Sequence, residues 1–301
     1  MANTNNYAEK WSKELLTVNV QESITSPFLV SNVNWLDART FHFTQMSTSG
    51  FKNHTVGGSF NRGTYAQTDK PFYLEHDRNI EFLIDKREVD ETNATASIQN
   101  VAMVFEQTQA APEVDARFFE KVFAGAPEKN KTTVATKTDY TKENVIEKIK
   151  KLISKVKRYR GSLIVYVCTE VMDALELALA DKARIQWTSI SGLEHSVETR
   201  VANIDGVPVM EVIDDDRFHS AFDYTDGYRA SSSAKALTIV VASTETVKTV
   251  KKIASIYYFA PGEHTEGDGY LYQNRELWDT FVFPNGKTGD VDSVAVEYVQ
   301  A

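Results

Sequence analysis

The 301-residue sequence has a single cysteine, Cys168, so an intramolecular disulfide framework is excluded. Its six histidines include no i, i+4 pair and no HExxH pattern, and one thiolate cannot complete a zinc site. No window approaches the roughly 20 apolar residues of a membrane helix. These absences predict a chain made in a reducing cytoplasm with no membrane partner.

An excess of basic charge is also missing. The formal net charge is −9 and the isoelectric point is about 5.3, which argues against broad nucleic-acid affinity. The sequence contains no GxGxxG or Walker-type phosphate loop and no Gly-x-Ser-x-Gly elbow. We therefore predict no catalytic residue, no cofactor-binding residue and no metal ligand, and we expect the chain not to be an enzyme.

Three groups of residues nevertheless have chemical alternatives. Asp214–Asp216 could bind Mg²⁺ and, with His219, serve a metal-dependent hydrolase, but a solvated strand end neutralised by Arg217 explains them more simply. Cys168 could be a nucleophile before a helix, although a packed thiol is favoured. The basic helix 148–160 could make the chain a nucleic-acid binding module, although interleaved glutamates favour a solvated face.

The stretch from Phe41 to Phe82 has the pattern of a long hairpin. Apolar residues alternate with polar ones at Phe41 and Phe43, and again at Phe72 and Leu74. Between these arms the sequence is polar and contains four glycines, at positions 50, 57, 58 and 63. A lone two-stranded ribbon is at best marginally stable in water, so this one is expected to rest on another copy of the chain.

The remaining pattern is mixed. Before the hairpin we predict a short helix at 7–18 and an extended arm at 21–40. After it, a long helix is expected from Asp90, capped by Thr92 or Asn93 and interrupted or kinked at Pro112. The second half predicts, in order, a polar loop at 125–139, a helix at 142–160, a buried strand at 163–168, a helix at 170–180, a hairpin about Asp205-Gly206, a strand at 236–242 and aromatic-rich strands from 253 onward.

This order of parts resembles the major capsid (head) protein of tailed double-stranded DNA bacteriophages, which has the HK97-like fold. Five strings carry a similarity to the group from long-tailed phages of Gram-positive hosts. They are TSPF at 25–28, TFHFTQMS at 40–47, HDRNIEFLIDKREVDETNATASIQN at 76–100, VFEQTQA at 104–110 and YYFAPGEHTEGDGYLYQNRELWDTFVFPNGK at 257–287. The resemblance spans nearly the whole chain.

The resemblance implies an α+β fold with five parts. They are an N-terminal arm at 1–40, an extended β-hairpin loop at 41–82, a peripheral domain with its spine helix and sheet at 83–140, an α/β axial domain at 141–250, and return strands of the peripheral domain at 251–301.

The resemblance further implies a structural virion protein that self-assembles into pentamers and hexamers of an icosahedral shell around the phage genome. Expected partners are further copies of the chain, a portal protein, a decoration protein in some relatives, and packaged double-stranded DNA bound without sequence specificity. Because the arm begins almost at Met1, a separate scaffolding protein is expected. The expected location is the virion, and the host cytoplasm during assembly.

Contacts between subunits are predicted at the apolar and charged residues of the arm and hairpin. These are Trp11, Phe28, Phe51, Lys52, His54, Phe60, Arg62, Tyr65, Lys70 and Arg78. Lys52 and Lys70 lie in the kind of loop that some relatives cross-link covalently, but no partner pattern accompanies them. No covalent cross-link is predicted.

Overall fold

The computed structural model describes residues 23–30, 40–54, 56, 58, 60–91, 98–180, 200–285 and 289–300. Within these ranges the α-helices are α1 (Lys86–Glu91), α2 (Ile98–Phe105), α3 (Ala111–Gly125), α4 (Val145–Lys155) and α5 (Thr169–Ala180). The strands are β1 (Leu29–Val30), β2 (Thr40–Thr48), β3 (Tyr65–Tyr73), β4 (His76–Asp85), β5 (Lys131–Val134), β6 (Leu163–Cys168), β7 (Val201–Ile204), β8 (Val207–Val212), β9 (Phe222–Asp223), β10 (Arg229–Ala230), β11 (Leu237–Ser243), β12 (Val247–Phe259), β13 (Gly269–Val282) and β14 (Val294–Val299).

A six-stranded mixed sheet forms one half of the molecule, in the order β5-β14-β11-β6-β8-β7. Every residue of β6 and β11 is buried, as continuous apolar runs in central strands should be. Helix α4 buries Val145, Ile149 and Ile153 against this core while its lysines face outward. The predicted strands 163–168 and 236–242 and the predicted helix 170–180 are confirmed to within one residue at each end. The predicted helix 142–160 is shorter than expected, because α4 ends at Lys155 and a 3-10 segment, Lys157–Ser162, follows it.

The predicted hairpin about Asp205-Gly206 is also confirmed. Asp205 and Gly206 have φ of 54° and 84°, the left-handed pair that a tight two-residue turn between β7 and β8 requires. The side chain of Asn203 accepts the Gly206 N–H at 2.8 Å and so closes the turn.

A four-stranded sheet in the order β1-β12-β13-β4 forms the other half. Its strands β12 and β13 are 13 and 14 residues long and confirm the aromatic-rich strands predicted from 253 onward. Helix α2 packs on this sheet through Ile98 and Ala102, which contact Ile84 and Tyr272.

The hairpin is shorter than the sequence predicted. Strands β2 and β3 pair from Thr40 with Tyr73 to Thr48 with Tyr65, and the hairpin ends there rather than at Phe82. The next strand, β4, pairs with β13 instead. Alternation shows that a strand has two unlike faces, but it does not identify the partner strand.

The long helix differs from its prediction at its start. Helix α1 begins at Lys86 instead of Asp90, and the proposed caps Thr92 and Asn93 lie outside the described residues. The predicted interruption takes the form of a π-helical stretch, Glu106–Ala110, placed just before Pro112. Proline lacks an N–H, so a local change of helical hydrogen bonding beside it is the expected response.

Two short strands correct the predicted division of the chain. The polar loop at 125–139 contains β5, and the return segment at 251–301 contains β14. These strands pair with each other in the six-stranded sheet, so the return segment contributes to both halves and the loop contributes to the half predicted for the axial domain. Their pairing joins residues 165 positions apart, which no local pattern reveals. The predicted helix at 7–18 lies outside the described residues.

Candidate intersubunit surfaces

The end of the hairpin is the most exposed apolar surface of the described chain. We call residues 49–64 the tip; positions 55, 57 and 59 within it are outside the described residues. Phe51 and Phe60 have relative exposures of 110% and 96%, and Val56 has 95%. Large apolar side chains left this open favour contact with another protein surface.

The tip also carries charge of one sign. Lys52 and Arg62 are its ionised side chains at neutral pH, and the tip sequence contains no acid. The Lys52 ammonium donates to the Arg62 carbonyl at 3.2 Å, and the Asn61 amide donates to the Asn53 carbonyl at 2.9 Å. These bonds hold the two sides of the tip together while its side chains face solvent.

Six predicted contact residues therefore lie together, exposed, on one projection: Phe51, Lys52, His54, Phe60, Arg62 and Tyr65. Lys70 lies on β3, paired with Phe43 of β2. Trp11 lies outside the described residues.

Phe28 is a correction, because it is a core residue of its own subunit. Its side chain is fully buried, with its ring 4.6 Å from that of Phe118 and 6.3 Å from that of Tyr166. A buried ring is unavailable to a neighbour, so the N-terminal arm is anchored here rather than free. The preceding Pro27 made this segment look extended and separate from the core.

Arg78 is a second correction, because it lies on β4 rather than on the projecting hairpin. Its guanidinium pairs with Glu113 at 2.8 Å and donates to the carbonyls of Tyr224 and Gly227. It thus fastens the loop around Tyr224 to the sheet and to α3. Its charge is used inside the subunit.

Helix α3 holds an ionic cluster that the sequence did not predict. Asp115 and Arg217 are both fully buried and lie 3.0 Å apart. Asp115 also accepts hydrogen bonds from the hydroxyls of Ser23 and Thr25 at 2.8 and 2.7 Å, and from two backbone N–H groups of the same segment. One carboxylate therefore joins α3, the N-terminal segment and the loop after β8.

Arg117, two residues further along α3, binds the four-stranded sheet. It pairs with the fully buried Asp279 at 3.0 Å and with Glu120 at 2.9 Å. Burial alone would lower the pKa of Arg117, but hydrogen bonds and charge from Asp279 and Glu120 raise it. Arg117 therefore stays charged throughout the pH range of interest.

The Asp214–Asp216 candidate is already neutralised in part. Asp214 lies 3.1 Å from Arg217, and Asp215 lies 2.6 Å from Lys137. Among the described residues, no group of histidine, cysteine, aspartate and glutamate side chains is arranged to hold a metal ion. Arg217 is the predicted counter-charge, but it is buried rather than solvated.

The charged side chains of the predicted basic helix likewise form a solvated face. Lys151 pairs with Glu147 at 2.7 Å, and Lys150 and Arg160 share Asp205 at 3.2 and 3.3 Å. Such internal pairing leaves little concentrated positive charge for a phosphate backbone. Neither the hydrolase nor the nucleic-acid alternative gains support.

Within the described ranges, every helix falls short of the length and apolarity that a membrane crossing requires.

Cys168 is a packed thiol, as the sequence favoured. It is fully buried at the end of β6, and burial raises its pKa to about 12. The thiolate is the reactive form, so a thiol reagent should react with folded protein at pH 8 at least 100-fold more slowly than with unfolded protein, on the order of the pKa difference. Absorbance of a released aromatic thiolate measures this, with Glu147→Cys as the exposed control. Rapid labelling of the folded, unaltered protein, which has Cys168 but not the control cysteine, would contradict the assignment.

Comparison with known proteins gives structural matches only: no family model and no curated protein matches the sequence. The mature capsid of bacteriophage PhiM1 has a TM-score of 0.66 at 14% identity, covering 97% of this chain and 91% of that one. The capsid of cyanophage P-SCSP1u has a TM-score of 0.64 at 10% identity, with coverages of 100% and 97%. A structure from Mycobacterium phage Bobi has a TM-score of 0.62 at 10% identity, with coverages of 97% and 95%. The chain therefore has the α+β fold of phage capsid proteins, the HK97-like fold.

Proposed function

We propose that this chain is a major capsid protein, which assembles into pentamers and hexamers of the icosahedral head shell that encloses a phage genome. The observation that carries the proposal is the whole-length match to a mature capsid, which covers 97% of this chain and 91% of the capsid chain. Both chains are matched over nearly their full length, so the likeness concerns the whole fold rather than one shared part.

The hairpin supports the same function independently. Its base is built into the subunit, since Phe41 and Phe72 pack on Phe281 and Phe283, whereas its tip exposes Phe51. A projection that is well anchored at one end and uncovered at the other is suited to contact a neighbour. Repeating one such contact around rings of five and six closes a shell.

The proposed contact set follows from the positions of the predicted residues. It retains Trp11, Phe51, Lys52, His54, Phe60, Arg62, Tyr65 and Lys70, and omits Phe28 and Arg78, which serve their own subunit. Further proposed partners are a separate scaffolding protein, a portal protein, a decoration protein and packaged double-stranded DNA without sequence-specific binding. In this proposal the chain is not an enzyme. It is located in the host cytoplasm during assembly and in the virion afterwards.

Sedimentation and negative-stain imaging test the function directly. The purified protein, expressed alone and with a scaffolding protein encoded by the same phage, is expected to give closed shells with five-fold and six-fold clusters. A dispersed monomer under both conditions would contradict the proposal. Steep salt dependence of DNA binding would then favour the nucleic-acid module, and metal-dependent hydrolysis lost in Asp215→Ala would favour the hydrolase.

A further inference from the structure

A cleft of about 910 Å³ lies between the four-stranded sheet and the loop that joins β9 to β10. Strands β4 and β13 form one wall, and the end of α2 with the π-helical stretch forms another. Four aromatic residues line it: Phe82, Phe105, Tyr228 and Trp278. The cleft is therefore large enough to receive bulky side chains, and it presents aromatic surface among its polar groups.

The cleft is also acidic. Five acidic side chains line it and only two basic ones, Arg78 and Arg229. Three of the five acids are paired within the subunit: Glu113 with Arg78, Asp77 with Arg275, and Glu276 with Lys251. At the mouth, the Asp226 side chain is 93% exposed, and its ion-pair partner among the described residues is Arg229, at 3.9 Å. Asp216 is exposed and forms no ion pair within the described part of the chain. These two carboxylates are available to a cationic partner.

A buried acceptor in the cleft wall lacks a donor. Asn274 is 4% exposed and lines the cleft, and its amide nitrogen donates to Glu106 at 2.8 Å. Its amide oxygen has no hydrogen-bond partner among the described residues. Leaving a buried acceptor unsatisfied is unfavourable, so a donor supplied from outside the subunit would stabilise this site.

The tip of the hairpin has the complementary chemistry. It offers the uncovered rings of Phe51 and Phe60, and the cationic N–H donors of Lys52 and Arg62, with no acid among its residues. We propose that the cleft of one subunit receives the tip of a second copy of this chain. The rings occupy the aromatic lining, and the two cations lie toward Asp216 and Asp226. This inference rests on the proposed shell function and names where the hairpin binds.

The subunit's own hairpin is anchored on the face of β13 opposite to the cleft. The base of the hairpin packs around Phe41, together with Leu277 of β13. The cleft is lined instead by Asn274, Glu276 and Trp278 of the same strand. Because successive residues of a strand point to opposite faces, the base and the cleft lie on opposite faces of the sheet. This arrangement favours an occupant from another copy over the subunit's own tip.

Cysteine cross-linking in assembled particles tests the contact. Val56→Cys on the tip and Ala230→Cys in the cleft, combined in one chain, are expected to give a ladder of linked subunits with a short bismaleimide. The native Cys168 is buried, so it is not expected to react with the bismaleimide. The matched control combines Val56→Cys with Glu147→Cys, an exposed position on α4, and should give no ladder. Particles without a ladder, or a link confined to a single chain, would overturn the inference.

A charge exchange gives a second readout. Lys52→Glu with Arg62→Glu should lower the yield of closed particles at least about tenfold, the effect of a loss of about 1.4 kcal/mol at the contact. Adding Asp216→Lys with Asp226→Lys should restore the yield to within about twofold, because the same pairs return with exchanged signs. All four positions are exposed, so the thermal unfolding midpoint is expected to stay unchanged.

The outcomes of the exchange separate this inference from the proposed function. If the unaltered protein forms no particles under any condition, the shell function itself is wrong. If particles form and the charge reversal leaves their yield unchanged, or the exchange fails to restore it, the function stands and the cleft is not the receiving site.

Discussion

Replacing Asp115 with alanine is expected to lower the free energy of unfolding by roughly 3–5 kcal/mol, the usual cost of breaking a buried ion pair. The change leaves the fully buried guanidinium of Arg217 without its 3.0 Å partner. It also removes the acceptor for the hydroxyls of Ser23 and Thr25. Urea unfolding with an unchanged slope measures the loss as a lower midpoint.

Two variants make this result interpretable. Arg217→Met should cost less than Asp115→Ala, because Asp115 keeps its four donors from the N-terminal segment. Glu147→Ala, which removes an exposed i, i+4 pair with Lys151, should stay within about 0.5 kcal/mol of the unaltered protein. An Asp115→Ala variant within about 1 kcal/mol of the unaltered protein would show that the cluster is not a principal link.

Replacing residues 50–63 with an Asn-Gly turn is expected to abolish closed particles while leaving the isolated subunit folded. Ser49 and Thr64 stay in place, and they already pair, since the Ser49 N–H donates to the Thr64 carbonyl at 2.8 Å. The described side chains between them face solvent, so their loss removes little burial within the subunit. Subunit stability should change by less than about 0.5 kcal/mol, and sedimentation should show no shells.

The hairpin base provides the matched control. Phe41 is 1% exposed and packs 5.1 Å from Phe281, so Phe41→Ala should cost about 3–5 kcal/mol of stability. The two variants thus separate folding from assembly within one hairpin. Closed particles in undiminished yield from the shortened hairpin would mean that the tip has no part in the shell.

Elements with a complete local signal could be predicted from the sequence. Strand β6 is an uninterrupted apolar run bounded by Gly161 and a helix start, and burial on both faces follows from that composition. The turn at Asp205-Gly206 follows from the left-handed conformation that this pair favours. Strand β11 and helix α5 were predictable for the same kind of reason.

Features that depend on distant pairing could not be predicted. Strand β4 looked like a continuation of the hairpin, and its true partner β13 lies about 190 positions along the chain. Phe28 looked free because nothing nearby in sequence indicates Phe118. The Asp115–Arg217 pair joins residues 102 positions apart, and an aspartate in a helix is normally an exposed residue.

The tip and the cleft also differ in whether they could be predicted from the sequence. The tip was predictable because glycines, polar residues and isolated aromatics follow one another directly in the sequence. The cleft was not, because β4, β13, the π-helical stretch and the loop after β9 each contribute a few residues that only the fold brings together. A continuous site is visible in sequence, whereas a composite one depends on the tertiary structure.

Helix α3 uses alternate residues to bind different parts of the subunit: Glu113 binds β4, Asp115 the loop after β8, and Arg117 strand β13. All three links are short and their carboxylates are at most 11% exposed, so they join the two halves of the subunit firmly. In the proposed shell we therefore expect the curvature of a closed surface to arise at the contacts between subunits rather than by bending within one.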